Sequence, residues 1–284
     1  MEPNCNQSIQ HFSHPHPLEL INLQQQQPTF NMPLCAMCKL QHSGLIYICK
    51  TCNFILHISC SQRPQLINHP SDPNHLLTLL PFPAYPDGTF TCDACGLQDN
   101  GFCYHCKACT LDLHIHCASM PISLNHKAHP HTLILSIRRP TFLTCDMCRR
   151  EITANQWSYG CRPCDFDGHL SCASMPMSLN HQAHPHTSRL SICRQTSLTC
   201  DMCCGDVEVN QWSYECRACD FNAHLSCASN PHAQAANMGG GGGSNAEATS
   251  LDIERLSIQI TAQGIRNAID GSNLNVDVIY IPRR

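Results

Sequence analysis

The side chains in this chain best equipped for chemistry are cysteine and histidine, and they fall at fixed spacings. The clearest stretch runs from Thr144 to Cys172. It holds two C-x-x-C knuckles, Cys145/Cys148 and Cys161/Cys164, and then His169-x-x-Cys172. Thiolates and imidazoles are the donors that zinc takes in a tetrahedron of four. Six donors exceed one such site, so the stretch calls for two more donors nearby.

The same stretch occurs four times. The first copy reads Cys35/Cys38, Cys49/Cys52, His57 and Cys60, and the second Cys92/Cys95, Cys106/Cys109, His114 and Cys117. The fourth reads Cys200/Cys203, Cys216/Cys219, His224 and Cys227. The second knuckle always reaches its His in five steps, and that His its Cys in three; only the gap between knuckles varies. Fixed donor spacing around a variable loop is what metal geometry demands. Disulfides would not require His to track Cys, so metal is preferred to a disulfide framework.

The missing donors are sought on either side. Upstream, a His opens an alternating apolar stretch at His16, His75, His131 and His186. Apolar residues at every second position predict a short half-buried strand. Downstream, a His lies nine residues past the last Cys at His69, His126 and His181; in the fourth copy that position is Ala236, and His232 is the nearby substitute. Each module is thus expected to offer eight ligands and hold about two zinc ions, with the second site of the fourth module in question. His14, His129 and His184 stand two residues before the strand His, but the second module has Pro73 there, so these three are read as lying behind the ligands or on the surface. Cys5 and His11 fit no repeat, and Cys103, Cys193 and Cys204 are spare thiols.

The elements that must position these donors are small. Tyr47, Tyr104, Tyr159 and Tyr214 each precede the second knuckle by two residues, and Phe54, Leu111, Phe166 and Phe221 follow it by two. Ile58, Ile115, Leu170 and Leu225 follow the ligand His, and Trp157 and Trp212 replace Leu45 and Phe102. These read as core. So little apolar material cannot fold a domain unaided, so metal is expected to supply most of the folding energy. The expected modules span residues 14–69, 73–126, 129–181 and 184–232. A Gly-rich linker follows over 233–249, with a run at Gly239–Gly243. Residues 250–284 form a tail without Cys or His, expected to hold a short helix and a strand.

Composition narrows the partners. The formal net charge is −4. Each module's five thiolates outweigh two divalent ions by one unit, so loading makes the chain more negative still. The basic footprint of a nucleic-acid binder is missing; Arg138/Arg139 and Arg149/Arg150 read as a solvated rim. No apolar run is long enough for a transmembrane segment, and the polar start, Met1 to Gln10, carries no secretory pattern. Cytoplasm or nucleus is the expected location.

The order His, C-x-x-C, C-x-x-C, H-x-x-C and a final ligand resembles the C1 zinc domain, the phorbol-ester/diacylglycerol-binding class. It is closest to the divergent cysteine/histidine-rich relatives (DC1) abundant in plants. The tokens His16-Pro-Leu, Tyr159-x-Cys161-x-x-Cys164-Asp-Phe and His169-Leu-x-Cys172-Ala carry the resemblance, over about residues 14–232. It implies small zinc-stabilised α+β modules: four tandem divergent C1-type domains, each with a few short strands and a short C-terminal helix. It also implies two interleaved sites. In the third module these would be Cys145, Cys148, His169 and Cys172, and His131, Cys161, Cys164 and His181. All positions are filled, which implies structural zinc rather than a catalytic ion. Typical lipid-binding members carry Gln-Gly before the second knuckle, where this chain reads Tyr-Ile, Tyr-His, Tyr-Gly and Tyr-Glu. That departure argues against diacylglycerol binding.

The leading expectation is a zinc-binding, non-enzymatic interaction or signalling protein with protein partners. The alternative is a thiol–disulfide redox protein using its C-x-x-C pairs, although no βαβ pattern surrounds them. A membrane-lipid reader is the weaker third reading. No phosphate loop, nucleophile elbow or paired carboxylate supports catalysis.

Overall fold

The computed structural model describes residues 7–23, 34–39, 44–137, 141–181, 184–194 and 196–228. Cys5, Arg138/Arg139, His232, the Gly-rich linker and the tail lie outside these. Contacts gather the chain into two compact units. Among the described residues, one takes in the chain up to Cys92 and Gln98–Ser119, the other Asp93–Leu97 and Met120 to Ala228.

Each module is built on one antiparallel four-stranded sheet, taken in chain order. In the first unit the strands are Ser8–Ile9, Leu18–Asn22, Leu45–Ile48 and Ile55–His57, and then Leu66–His69, Asp72–Leu80, Cys103–His105 and Asp112–His114. In the second unit they are Ser123–Leu124, Leu133–Ser136, Ser158–Cys161 and Phe166–His169, and then Ser178–Leu179, Ser188–Ile192, Trp212–Cys216 and Phe221–His224. The register repeats. Tyr159 sits between Leu135 and Gly168, as Tyr214 sits between Leu190 and Ala223 and Tyr47 between Leu20 and Leu56. With a side-chain period of two, this register turns every Tyr to the same buried face. Tyr159 and Tyr214 are fully buried, and their hydroxyls donate to the carbonyls of Pro121 and Pro176 (2.6 Å for Tyr214). Tyr104 does the same to Pro64 at 2.8 Å. Each Tyr thereby ties its strand to the segment leading into the module's first strand.

Small two-stranded ribbons carry the first knuckle: Phe90–Thr91 with Gln98–Asp99, Leu143–Thr144 with Glu151–Ile152, and Leu198–Thr199 with Asp206–Val207. A single helical turn closes three modules, at Ile58–Ser61, Leu170–Ala173 and Leu225–Ala228. The second module has a 3-10 turn there, Cys117–Ser119. Four tandem modules of short strands with few, short helices are the expected fold class.

The module limits need correcting. Leu66–His69, expected at the end of the first module, pairs with Asp72–Leu80 in the second module's sheet. Ser123–Leu124 and Ser178–Leu179 likewise open the third and fourth sheets. Ser8–Ile9 opens the first, ahead of residue 14. Each module begins with a hairpin, and the His counted as its predecessor's last ligand lies in that hairpin.

Candidate metal centres

Among the described residues, eight groups bring Cys, His or acidic ligand atoms within 4.8 Å of one another. Five of these are quartets of two kinds, joining either the first or the second knuckle to histidine.

The inner kind joins the first knuckle to H-x-x-C, as the resemblance implies. Its members include Cys35/Cys38/His57/Cys60, Cys92/Cys95/His114/Cys117 and Cys145/Cys148/His169/Cys172. In the fourth module Cys203 and Cys227 lie 3.3 and 3.9 Å from His224 Nδ1, and the His224 backbone N–H points at Cys200 Sγ. The knuckle is a tight turn. The Arg149 N–H donates to the Cys145 carbonyl, and the Cys204 N–H to that of Cys200, both at 2.8 Å. The residue after the knuckle is left-handed: Lys39, Arg149 and Cys204 have φ near +60°, and the second module uses Gly96. Cys204 thus fills a backbone position, and its thiol is exposed.

In the third and fourth modules the histidine of the inner quartet is held from behind. His169 Nε2 donates to the Glu151 carbonyl at 3.0 Å, and His224 Nε2 to that of Asp206 at 2.9 Å. In the neutral ring, the form that binds a metal, that bond fixes the tautomer and leaves Nδ1 with its lone pair toward the thiols. The donors strongly perturb one another. Hydrogen bonds from Cys148 and Cys172 hold the Cys145 thiol far below its ordinary range, while Cys172 is pushed up by Cys145 and Cys148. Cys227 does the same for Cys200, which falls to about 3. Burial pulls the His169 imidazole down, but Cys145 and Cys148 outweigh it and lift it to about 10. Four donors this close call for a cation at their centre.

The outer kind joins the second knuckle to an H-x-H pair. His14/His16/Cys49/Cys52 and His129/His131/Cys161/Cys164 are two of these. His14 Nε2 lies 3.1 Å from Cys52 Sγ, and His131 Nδ1 2.9 Å from Cys164 Sγ. In the fourth module His186 Nδ1 and His184 Nε2 lie 3.0 and 3.4 Å from Cys219, which is 3.5 Å from Cys216. The upstream His of each pair packs on the aromatic residue after its knuckle. His14 stacks on Phe54 at 4.2 Å and His184 on Phe221 at 4.1 Å, while His129 lies tilted 4.7 Å from Phe166. His129 Nε2 is buried and has no hydrogen-bond partner. A buried imidazole nitrogen left over beside two thiols is what a metal ligand looks like without its ion, so the donor set fits zinc.

Two expectations are therefore overturned. His14, His129 and His184 lie within donor distance of the second-knuckle thiols, not behind them. His69, His126 and His181 are in none of the quartets described above; they are buried in the turn that opens the next module. The Ala128 N–H donates to His126 Nδ1 at 3.2 Å and the Ser71 N–H to His69 Nδ1 at 3.2 Å, while His126 Nε2 donates to the Met175 carbonyl. These rings brace the turn. His11 does the same for Ser13, so it belongs to the repeat after all. The fourth module's outer site is complete from His184 and His186, without any residue near position 236. The signal was present in the sequence as His11-x-x-His14-Pro-His16, His126-x-x-His129-Pro-His131 and His181-x-x-His184-Pro-His186.

The second module explains why that signal is hard to see. It reads His69-Pro-Ser-Asp72-Pro-Asn-His75, with one residue more between its last two positions. The sheet register shifts between Asn68 and His69 to admit it. Asp72, not Pro73, then faces the knuckle. Cys109 Sγ donates to Asp72 Oδ2 at 2.8 Å, and His75 Nδ1 lies 3.0 Å from both carboxylate oxygens. Hydrogen bonds from Cys109, then Cys106 and His75, hold the Asp72 carboxyl below its ordinary range. The outer quartet here is Asp72, His75, Cys106 and Cys109.

The C1 domain family matches residues 12–61, 70–118, 127–173 and 182–228, each match beginning beside the bracing His. Neither a curated protein nor a solved structure matches the chain. Four matches covering well over half its length, each containing both kinds of quartet, establish that the chain belongs to the C1 domain family.

Proposed function

We propose that this is a non-enzymatic interaction or signalling scaffold whose eight quartets each hold a structural zinc ion, two per module. One observation carries the reading: the quartets draw all four donors from the chain itself. A site with four protein ligands has no position left for substrate or a reactive water, which is the mark of structural zinc. Thiols shared in this way are not available as redox nucleophiles, which favours a scaffold over a thiol–disulfide enzyme. Serial small modules suit avidity, since linking weak contacts raises the effective concentration of each. Protein partners fit the chain's negative charge better than nucleic acid. Among the described residues no helix is long and apolar enough to cross a membrane. Metal held by free thiols suits a reducing compartment, which supports the cytoplasm or nucleus as the location.

The test is the zinc-to-protein ratio of reduced protein by native mass spectrometry, followed by recovery of partners with intact and Cys-substituted modules. A ratio near eight and a protein partner lost with the modules support the reading. A ratio near zero with oxidised cysteines, or turnover of a disulfide substrate by the zinc-loaded protein, refutes it.

A further inference from the structure

The eight quartets are not chemically equal, and one stands apart on two independent grounds. In three outer quartets the upstream donor is an imidazole packed against a phenylalanine ring: His14 on Phe54, His129 on Phe166, His184 on Phe221. In the second module both partners of that pair are changed. Asp72 stands where the imidazole should be, and Leu111 where the ring should be. The quartet still closes, through the Cys109–Asp72 and His75–Asp72 contacts.

The exchange alters the site in three ways. A carboxylate oxygen is a harder donor than imidazole and suits magnesium, calcium or manganese better than zinc. Two thiolates, a carboxylate and a neutral imidazole leave a zinc ion with one net negative charge, where two thiolates and two imidazoles leave none. With no aromatic face beside it, the carboxylate also lacks the packing that orients the other three upstream donors. The site is open on one side: Cys109 is exposed, and the His75 side chain keeps 45% of its accessible surface.

Resting on the reading that the quartets hold zinc, we propose that Asp72, His75, Cys106 and Cys109 form a carboxylate-bearing zinc site, and that it surrenders its metal to a competing chelator before the other seven. Module two is then the place where zinc supply acts on the scaffold, while the remaining quartets keep the chain folded.

The experiment uses the full-length, reduced, zinc-loaded protein, titrated with EDTA and followed by native mass spectrometry. Wild type loses one zinc in a separate first step, at a chelator concentration at least about tenfold below the rest, since exchanging a ligand should cost no less than disturbing its supporting shell. Asp72→Ala starts one zinc short and lacks that step. Asp72→His combined with Leu111→Phe restores the His–Phe pair and moves the step up toward the others. The proposal is overturned if Asp72→Ala keeps the wild-type complement, if its first step survives, or if wild type releases all its zinc together. A reduced wild type that carries no zinc at all overturns the underlying zinc reading, and a full complement released in one step overturns only this inference.

Discussion

Histidines 129 and 181 compete for one role, the last ligand beside His131, Cys161 and Cys164, and substituting each decides it. The structure puts His129 in that quartet and His181 in the turn that opens the fourth module. Structural zinc contributes about 10–16 kcal/mol in finger peptides, so one ligand of four accounts for about 3 kcal/mol. That corresponds to roughly a hundredfold weaker zinc at this site for His129→Ala. His181→Ala removes a buried ring instead. It leaves a cavity and an unbraced turn, a change costing about 2–4 kcal/mol of module stability, but it removes no member of the His129/His131/Cys161/Cys164 quartet. Native mass spectrometry at a chelator level between the two affinities should therefore find His129→Ala one zinc short and His181→Ala fully loaded. Denaturant unfolding in excess zinc should find His181→Ala destabilised. The reverse pattern, with His181→Ala one zinc short and His129→Ala loaded, would refute the assignment and restore the ligand set expected from spacing alone.

Two further outcomes follow from the same geometry. Cys204 sits at φ +58°, where the second module has Gly96, and its thiol is exposed, so Cys204→Gly should raise stability by up to about 1 kcal/mol and leave the zinc count unchanged; loss of a zinc would make Cys204 a ligand. Burial lowers the His69 imidazole to about 4, against about 6.5 unfolded, so its favourable contribution is present above pH 6.5 and is lost as the pH falls to 4. Across that window the stability advantage of wild type over His69→Gln should shrink by about 3 kcal/mol. Acid release of zinc acts on both proteins, so a gap that stays constant would show that His69 is not buried as a neutral ring.

The inner quartets were legible because each half keeps a fixed spacing, C-x-x-C and H-x-x-C, in all four modules, while only the loop between the knuckles changes length. The strands were legible for a similar reason, since alternation fixes which residues face inward and the Tyr positions mark the register. The outer quartets were half legible. Their knuckles were plain, but the partner depends on which module owns a His lying between two repeats. Spacing cannot settle ownership; strand pairing does. Ser123–Leu124 pairs with Leu133–Ser136, which folds residues 125–132 into one hairpin and places His126 and His129 at opposite ends of one turn. In the second module a single inserted residue and a change from His to Asp together removed the pattern, and only the side-chain contacts of Asp72 recover it.

Contacts between the third and fourth modules were not legible at all, and they bear on what tandem repetition achieves. The Trp212 backbone N–H donates to the Met147 carbonyl at 2.9 Å, and Gln211 Nε2 donates to the Cys148 carbonyl. Both acceptors lie in the third module's first knuckle, the turn that presents Cys145 and Cys148 to their quartet. Trp212 itself is buried, with its ring 5.7 Å from that of His126, the brace of the third module's opening turn. Backbone carbonyls carry no residue type to read, so the acceptor side of this joint announces nothing. Its consequence is energetic. With zinc bound as proposed, a knuckle stripped of its ion would also lose the geometry that holds two acceptors for the next module, so the two modules would share stability in the way neighbouring repeats of an array do. Module four, with its small apolar core, is then held by its own sheet and by the third module's first knuckle, a turn that a metal bound there would keep in shape.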